Sequence, residues 1–199
     1  MPAEQTELEL SSVASTGSAV LFRYSSYDVP FWVTPNTRPG RWHVTGDPPT
    51  QYWSGSPDAA WAELIRSEEL RTEDEIDLIQ MPLWVCRFPF AELVDLRDEP
   101  AQKAAGLTSD DLIGESWTGC QQAGAVLRQS HSGLIAPAAA LDGHENVTIF
   151  GPKRMIEWGK LPALASAVPA AVVAVGRPRP GLVKSVRQRV DPAGSQRLF

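Results

Sequence analysis

A chain of 199 residues that is 43% hydrophobic, with a net charge of −6 at pH 7, can bury one sizeable core and is short for two domains. The charge is uneven: residues 177–199 carry six Lys or Arg against Asp191 alone, a local +5 that leaves −11 on residues 1–176, which points to a basic tail and away from a nucleic-acid-binding body. The N-terminal MPAEQTELEL lacks a signal-peptide layout, and the longest apolar run, residues 163–175, is interrupted by Pro169, well below the roughly 18 residues of a membrane helix. The expectation is a soluble, cytoplasmic protein. Cys86 and Cys120 show no CxxC spacing and read as separate buried thiols in a reducing compartment.

Residues 1–18 are polar and read as a loose extension. Residues 19–24, AVLFRY, form the first strand and place Arg23 among apolar neighbours. A buried arginine needs an anionic partner, whereas one at a strand end reaches solvent; the residues alone leave both open. The loop 25–39 carries Tyr27, Phe31 and Trp32, more aromatic than a connector requires and suited to walling a pocket. Turns at 38–40 (RPG) and 46–49 (GDPP) flank Arg41 and precede a short strand, TQYW, at 50–53. Ser56 then caps a helix with Pro57 in its first position and Asp58 at its positive end. Trp61, Leu64 and Ile65 form its apolar stripe. Glu63 falls off that stripe, free to face a cleft or water. Its plain reading is a surface carboxylate paired with Arg66, worth about 0.3 kcal/mol; Arg41 is then a turn charge and Tyr52 a strand aromatic.

Residues 72–77 are acidic and read as solvated surface. Strands are expected at 83–90 (LWVCRFPF) and 93–96 (LVDL), with Pro89 as an edge or break. TSDD at 108–111 opens a short helix, and 115–128 reads as another. Gly119 and Gly124 would weaken it by about 1 kcal/mol each relative to Ala, so close packing is the reason to expect for them. Residues 132–138 (SGLIAPA) and 145–150 (ENVTIF) pair as strands about the turn LDGH at 141–144. Asp142, His144 and Glu145 have metal-ligand chemistry, but consecutive loop positions seldom converge on one ion, and a polar hairpin tip is favoured. His43 and His131 are single. Residues 155–159 and 161–175 fit strand or helix, periodicity leaving the choice open. GRPRPG at 176–181 reads as a linker before a flexible basic end. No GxGxxG or GxxxxGK[ST] occurs, so neither a Rossmann nor a P-loop site is indicated.

Taken in order, FR at 22–23, GRWH at 40–43, QYW at 51–53, SPDAAWAELIR at 56–66, DLIGESW at 111–117 and IAPAAALDGHENVTIF at 135–150 resemble the RES domain. That family comprises the NAD-degrading toxins of RES–Xre toxin–antitoxin modules and is named for an Arg, a Glu and a Ser. The resemblance covers about residues 19–160. It implies a single mixed α/β (α+β) domain over 19–176, similar to the ADP-ribosyltransferase fold, with two small sheets, flanking helices and NAD between the sheets. It also implies cleavage of the nicotinamide–ribose bond by phosphorolysis or hydrolysis, with NAD and inorganic phosphate as substrates and no further cofactor or metal. The implied partner is a Xre-like helix-turn-helix antitoxin blocking the cleft; a homodimer is compatible, and membrane or direct nucleic-acid binding is not expected.

Carried over by motif, Glu63 would stabilise an oxocarbenium-like ribose. Arg41 and Arg23 would grip phosphate groups through paired hydrogen bonds. Tyr24 and Tyr52 would stack on nicotinamide or bond the ribose, and Asn146 completes the set. The sequence departs from the family at its serine: the usual Pro-Ser is here Pro137-Ala138, with no hydroxyl. Ser132, six residues earlier, would lie some ~20 Å away along a straight strand. Two further readings follow, an inactive RES-like nucleotide- or partner-binding protein and an ADP-ribosyltransferase acting on a macromolecule.

Overall fold

The computed structural model describes residues 18–25, 29–89, 93–155, 166–168 and 170–189. At its centre is a seven-stranded sheet in the order β4-β5-β6-β2-β1-β3-β9. Its strands are β1 (Ser18–Tyr24), β2 (Thr50–Ser54), β3 (Met81–Pro89), β4 (Leu93–Asp95), β5 (Gly133–Pro137), β6 (Glu145–Phe150) and β9 (Ala170–Gly176). A parallel pair, β7 (Lys153–Met155) and β8 (Ser166–Val168), forms a separate small sheet. The fold is mixed α/β as expected, but the strands divide as one large sheet and one small one instead of two small ones. The cause lies at β1: it pairs with β3 along seven residues but with β2 only through Phe22 and Ser54. That one pair joins two halves, β4-β5-β6-β2 and β1-β3-β9, into a continuous sheet.

Helix α1 (Pro57–Ser67) forms for the reasons legible in its sequence. The Ser56 hydroxyl accepts from the Ala59 N–H at 3.2 Å, Pro57 occupies the first turn, and Asp58 sits at the positive end. Its stripe of Trp61, Leu64 and Ile65 is buried, in one cluster with Leu83 of β3 and Phe22 and Tyr24 of β1. Residues 72–77 are not a continuation of it. They fold as a separate short helix, α2 (Glu73–Asp77), opened by a Thr72–Glu75 capping box and pinned by Ile76, which is 1% exposed.

Helices α3 (Glu99–Ala104), α4 (Ser109–Ile113) and α5 (Thr118–Leu127) follow; α4 and α5 form the third core cluster with Val94 and Leu134 of the sheet. Gly124 of α5 lies under the loop that carries Arg41, and a β-carbon there would come 2.5 Å from the Trp42 carbonyl oxygen. Gly124→Ala is therefore expected to destabilise: overpacking costs about 1–3 kcal/mol against a helix-propensity gain of about 1 kcal/mol. Urea unfolding should show a net loss. Gly119→Ala, which meets side chains and no backbone, Asp111 at 3.0 Å and Leu107 at 3.5 Å, should lose less.

Residues 177–189 depart from the expected flexible tail. A 3₁₀ turn, Leu182–Ser185, buries Leu182 and Val183 against the α1 cluster, and Val186 follows them. Burial of such side chains contributes about 1.5–3 kcal/mol each. The basic residues meet the acidic body: Arg177 pairs with Asp77 at 2.9 Å, Arg179 with Asp58 at 2.7 Å, and Arg187 with Asp142. The uneven charge of the sequence is thus partly satisfied within the chain, although exposed pairs of this kind contribute under about 1 kcal/mol each. Of the runs whose type was open, 155–159 and 161–175, the described parts are strand: Met155 ends β7, and 166–168 and 170–175 lie in β8 and β9. Tyr27 and residues 1–17, 156–165 and 190–199 lie outside the described residues. No helix among those described is long and apolar enough to cross a membrane.

Candidate active site

Beside the seam between β1 and β2, under α1, opens a cleft of about 560 Å³. All six residues singled out in the sequence line it: Arg23, Tyr24, Arg41, Tyr52, Glu63 and Asn146.

Glu63 is the best anchored of them. Its Oε1 accepts from the Asn146 side-chain amide at 2.6 Å and the Ala140 backbone N–H at 3.2 Å. Asn146 is itself fixed, because Ser54, its partner in the β2–β6 register, donates from Oγ to its Oδ1 at 2.7 Å. Oε2 of Glu63 has no donor among the described residues. The surface pairing of Glu63 with Arg66 is not formed. Arg66 is buried and turns its guanidinium onto the carbonyls of Ala139 and, at 2.9 Å, Ile113. Burial lowers its pKa, opposed by the nearby charge of Glu63.

Arg41 is not a free turn charge. It donates from Nη1 to the Asp111 carbonyl and from Nη2 to the Gly114 carbonyl, both at 2.7 Å, and so ties the end of α4 to the cleft wall. Arg23 lines the cleft next to Tyr24 at the end of β1. It donates to the Pro30 carbonyl at 3.1 Å and lies 5.2 Å from the Trp32 ring centre. Burial pushes its pKa down to about 10, with Tyr24 the largest opposing influence. It is half-buried and forms no ion pair with a carboxylate among the described residues, so it neither reaches freely into solvent nor meets an anionic side chain.

The Tyr52 hydroxyl accepts from the Trp42 N–H at 2.9 Å and lies 2.8 Å from Nδ1 of His43. Nε2 of His43 is 3.0 Å from the Arg38 carbonyl, which can only accept. The ring proton therefore sits on Nε2, and Tyr52 donates to Nδ1. Its O–H is committed, so the ring is what Tyr52 offers the cleft; burial raises its pKa. Tyr24 stacks on Trp61 at 6.3 Å and 14°.

Burial holds the His43 pKa below its ordinary 6.5, with the Arg38 carbonyl partly opposing. The unfolded chain thus takes up this proton first. The contribution of neutral His43 is complete above about pH 6.5 and is lost as pH falls from there towards the folded value. Denaturant unfolding between pH 7 and 5 should show stability falling, and His43→Gln should flatten that slope. Asp95 and Asp111, whose pKa values are lowered by Arg97 and Thr108, add losses only at more acidic pH. A slope unchanged in His43→Gln would refute the assignment.

Ala138 is 2% exposed and its N–H bonds the His144 carbonyl. Pro137 and Ala139 on either side line the cleft; Ala138 does not. Ser132 precedes β5, at the end opposite Pro137. The hairpin residues diverge: Asp142 goes to Arg187, His144 to the Ser56 hydroxyl at 2.8 Å and Glu145 to Arg97 at 2.7 Å. Sequence reasoning missed Ser54, Arg66, Trp117 and Arg189 as lining residues. Ser54 was within reach, since it shares a face of β2 with Tyr52 by alternation. Arg66 was seen only as a surface partner, and nothing local marks Arg189.

Fold and site together define a single-domain α/β protein whose cleft sets one anchored carboxylate among arginines and aromatic rings. The family model described as RES domain matches residues 20–158, and the chain belongs to that family. It is 30% identical over 162 residues to the Probable NAD(+) phosphorylase Rv3189 of Mycobacterium tuberculosis, covering 77% of this chain and 75% of that protein. To the NAD(+) phosphorylase MbcT of Mycobacterium bovis it is 28% identical over 103 residues, 50% of this chain and 55% of the relative. Among solved structures it is similar to a chain in the crystal structure of the M. tuberculosis MbcT-MbcA toxin-antitoxin complex, with a TM-score of 0.61 and 22% identity over 85% of this chain and 89% of that one. That likeness concerns the fold.

Proposed function

We propose that this protein is an NAD-consuming enzyme that breaks the nicotinamide–ribose bond, passing the ADP-ribosyl group to inorganic phosphate. The observation that carries the reading is Glu63, held by Asn146 and Ala140 inside a cleft lined by four arginines. Nicotinamide in NAD is cationic and leaves neutral, so the reaction needs no strong general acid. It needs negative charge beside the ribose as the C–N bond lengthens, and a carboxylate already oriented by two donors supplies it without reorganising. Arg23, lacking a carboxylate partner among the described residues, suits the diphosphate. Arg41 shapes the wall through the end of α4, and the Tyr24 and Tyr52 rings offer apolar faces to nicotinamide. The relatives named as NAD phosphorylases favour phosphate over water as acceptor. A solved neighbour of similar fold pairs a toxin with an antitoxin, which supports an antitoxin partner; we take that partner to be of Xre-like helix-turn-helix type, closing the cleft, with the cytoplasmic NAD pool as the site of action.

Purified protein incubated with NAD and phosphate should release nicotinamide and form ADP-ribose phosphate; without phosphate, release should slow. No release above a Glu63→Ala control would overturn the enzymatic reading. A second reading, nucleotide binding without turnover, draws on Ala138, which puts no hydroxyl at the family's serine position. NAD binding by calorimetry with no nicotinamide release would select it. Label from NAD appearing on a macromolecule would instead indicate ADP-ribosyl transfer.

A further inference from the structure

We propose that the segment following β9 completes the cleft with a phosphoryl-gripping arginine, Arg189, which lies beyond the residues 20–158 matched by the family model. The proposal rests on the NAD-cleaving reading only for the identity of the phosphoryl compound, not for the anion site itself. Four arginines line the cleft, and three spend hydrogen bonds on backbone carbonyls: Arg23 on Pro30, Arg41 on Asp111 and Gly114, and Arg66 on Ala139 and Ile113. The fourth, Arg189, donates to no protein acceptor among the described residues. Its guanidinium carbon sits 5.8 Å from the centre of the Trp117 ring. Glu69 and Glu115 also line the cleft.

The residue is held in place from behind. Its carbonyl accepts from Arg71 at 3.3 Å, Gln188 bonds the Leu70 carbonyl at 3.0 Å, and the Arg187 N–H bonds the Ala140 carbonyl at 2.8 Å. Buried Leu182, Val183 and Val186 anchor the same stretch. The cation is also placed among others, since its charge joins those of Arg41 and Arg187 in disfavouring the charged form of Arg66. An anion placed between these cations is attracted by each of them, against the opposing charge of Glu63. The five-donor planar fork matches two oxygens of one phosphoryl group. That group is either the incoming inorganic phosphate or the diphosphate of the dinucleotide.

Calorimetry on the full chain, with inorganic phosphate and with adenosine diphosphate as probes, tests this. Parental protein should bind at least one probe, and Arg189→Gln should weaken that binding by about tenfold or more. Arg189→Lys should recover only part, because it restores charge without the fork. Arg177→Gln, which alters a surface pair with Asp77, should bind as the parent does. Weakening for phosphate alone assigns the grip to the free ion, and weakening for adenosine diphosphate assigns it to the dinucleotide. Equal affinities in the parent and Arg189→Gln, or a parent that binds neither probe, would overturn the proposal. None of these readings requires turnover, so a protein that binds phosphate through Arg189 yet releases no nicotinamide would sink the catalytic reading and leave this one standing.

Discussion

Glu63→Gln is expected to slow nicotinamide release by roughly 10²-fold or more, while NAD binding and folding stay near parental. The glutamine carbonyl oxygen can still accept from Asn146 and from the Ala140 N–H. Shape and hydrogen bonding are therefore kept, and only the charge facing the developing ribose cation is removed. If Glu63 were merely a solvated helix residue, the same change would shift stability by no more than about 0.5 kcal/mol and leave the rate alone. Single-turnover rates at saturating NAD, together with NAD binding by calorimetry, separate the outcomes. A parental rate in Glu63→Gln would refute the role given to the carboxylate.

Arg23→Met should have the opposite profile, with NAD affinity falling about 10–100-fold and no comparable loss of stability. Arg23 is a half-buried charge without a carboxylate partner among the described residues, and desolvation pulls its pKa down to about 10. Methionine has similar bulk and no charge to desolvate, so what is lost is the bond to the Pro30 carbonyl and the stacking on Trp32. Charge-assisted hydrogen bonds to a diphosphate contribute about 1.5–3 kcal/mol, hence the range of affinities. Thermal unfolding and NAD titration of one preparation test both halves. A variant that loses its fold and keeps its affinity would show that Arg23 is a structural residue.

The parts of this molecule that were legible in its sequence are those fixed by neighbours in the chain. Ser56-Pro57-Asp58 specifies the start of α1 through groups three residues apart, and Gly124 in a helix announces a close approach, met at the Trp42 carbonyl. The six cleft residues were found because their motifs were recognised, not because spacing revealed a site. On spacing alone Glu63 belonged to Arg66, and only the fold shows that residues 77 and 83 positions further on claim its carboxylate. Helix α3 was missed although its signal was present in the Asp98 cap and Pro100; at six residues it has too few turns to show a periodicity. The docking of residues 177–189 was illegible for a different reason. Their apolar members are few, and the acidic partners Asp58, Asp77 and Asp142 come from three distant parts of the chain.

That wiring also sets when the cleft can first exist. Ser54 and Asn146 are 92 residues apart, Glu63 and Asn146 are 83 apart, and the Arg71 bond to Arg189 spans 118. Contacts at such separations must close large loops before they return any stabilisation, which puts the chain among slower folders. At a synthesis rate of about 5–20 residues per second, the carboxylate precedes its orienting amide by roughly 4–17 s. For all but the last six residues of that interval a growing chain carries Glu63 with neither of its donors, and Arg189 joins later still. The contacts that orient Glu63 and hold Arg189 are thus withheld from the nascent chain by topology alone.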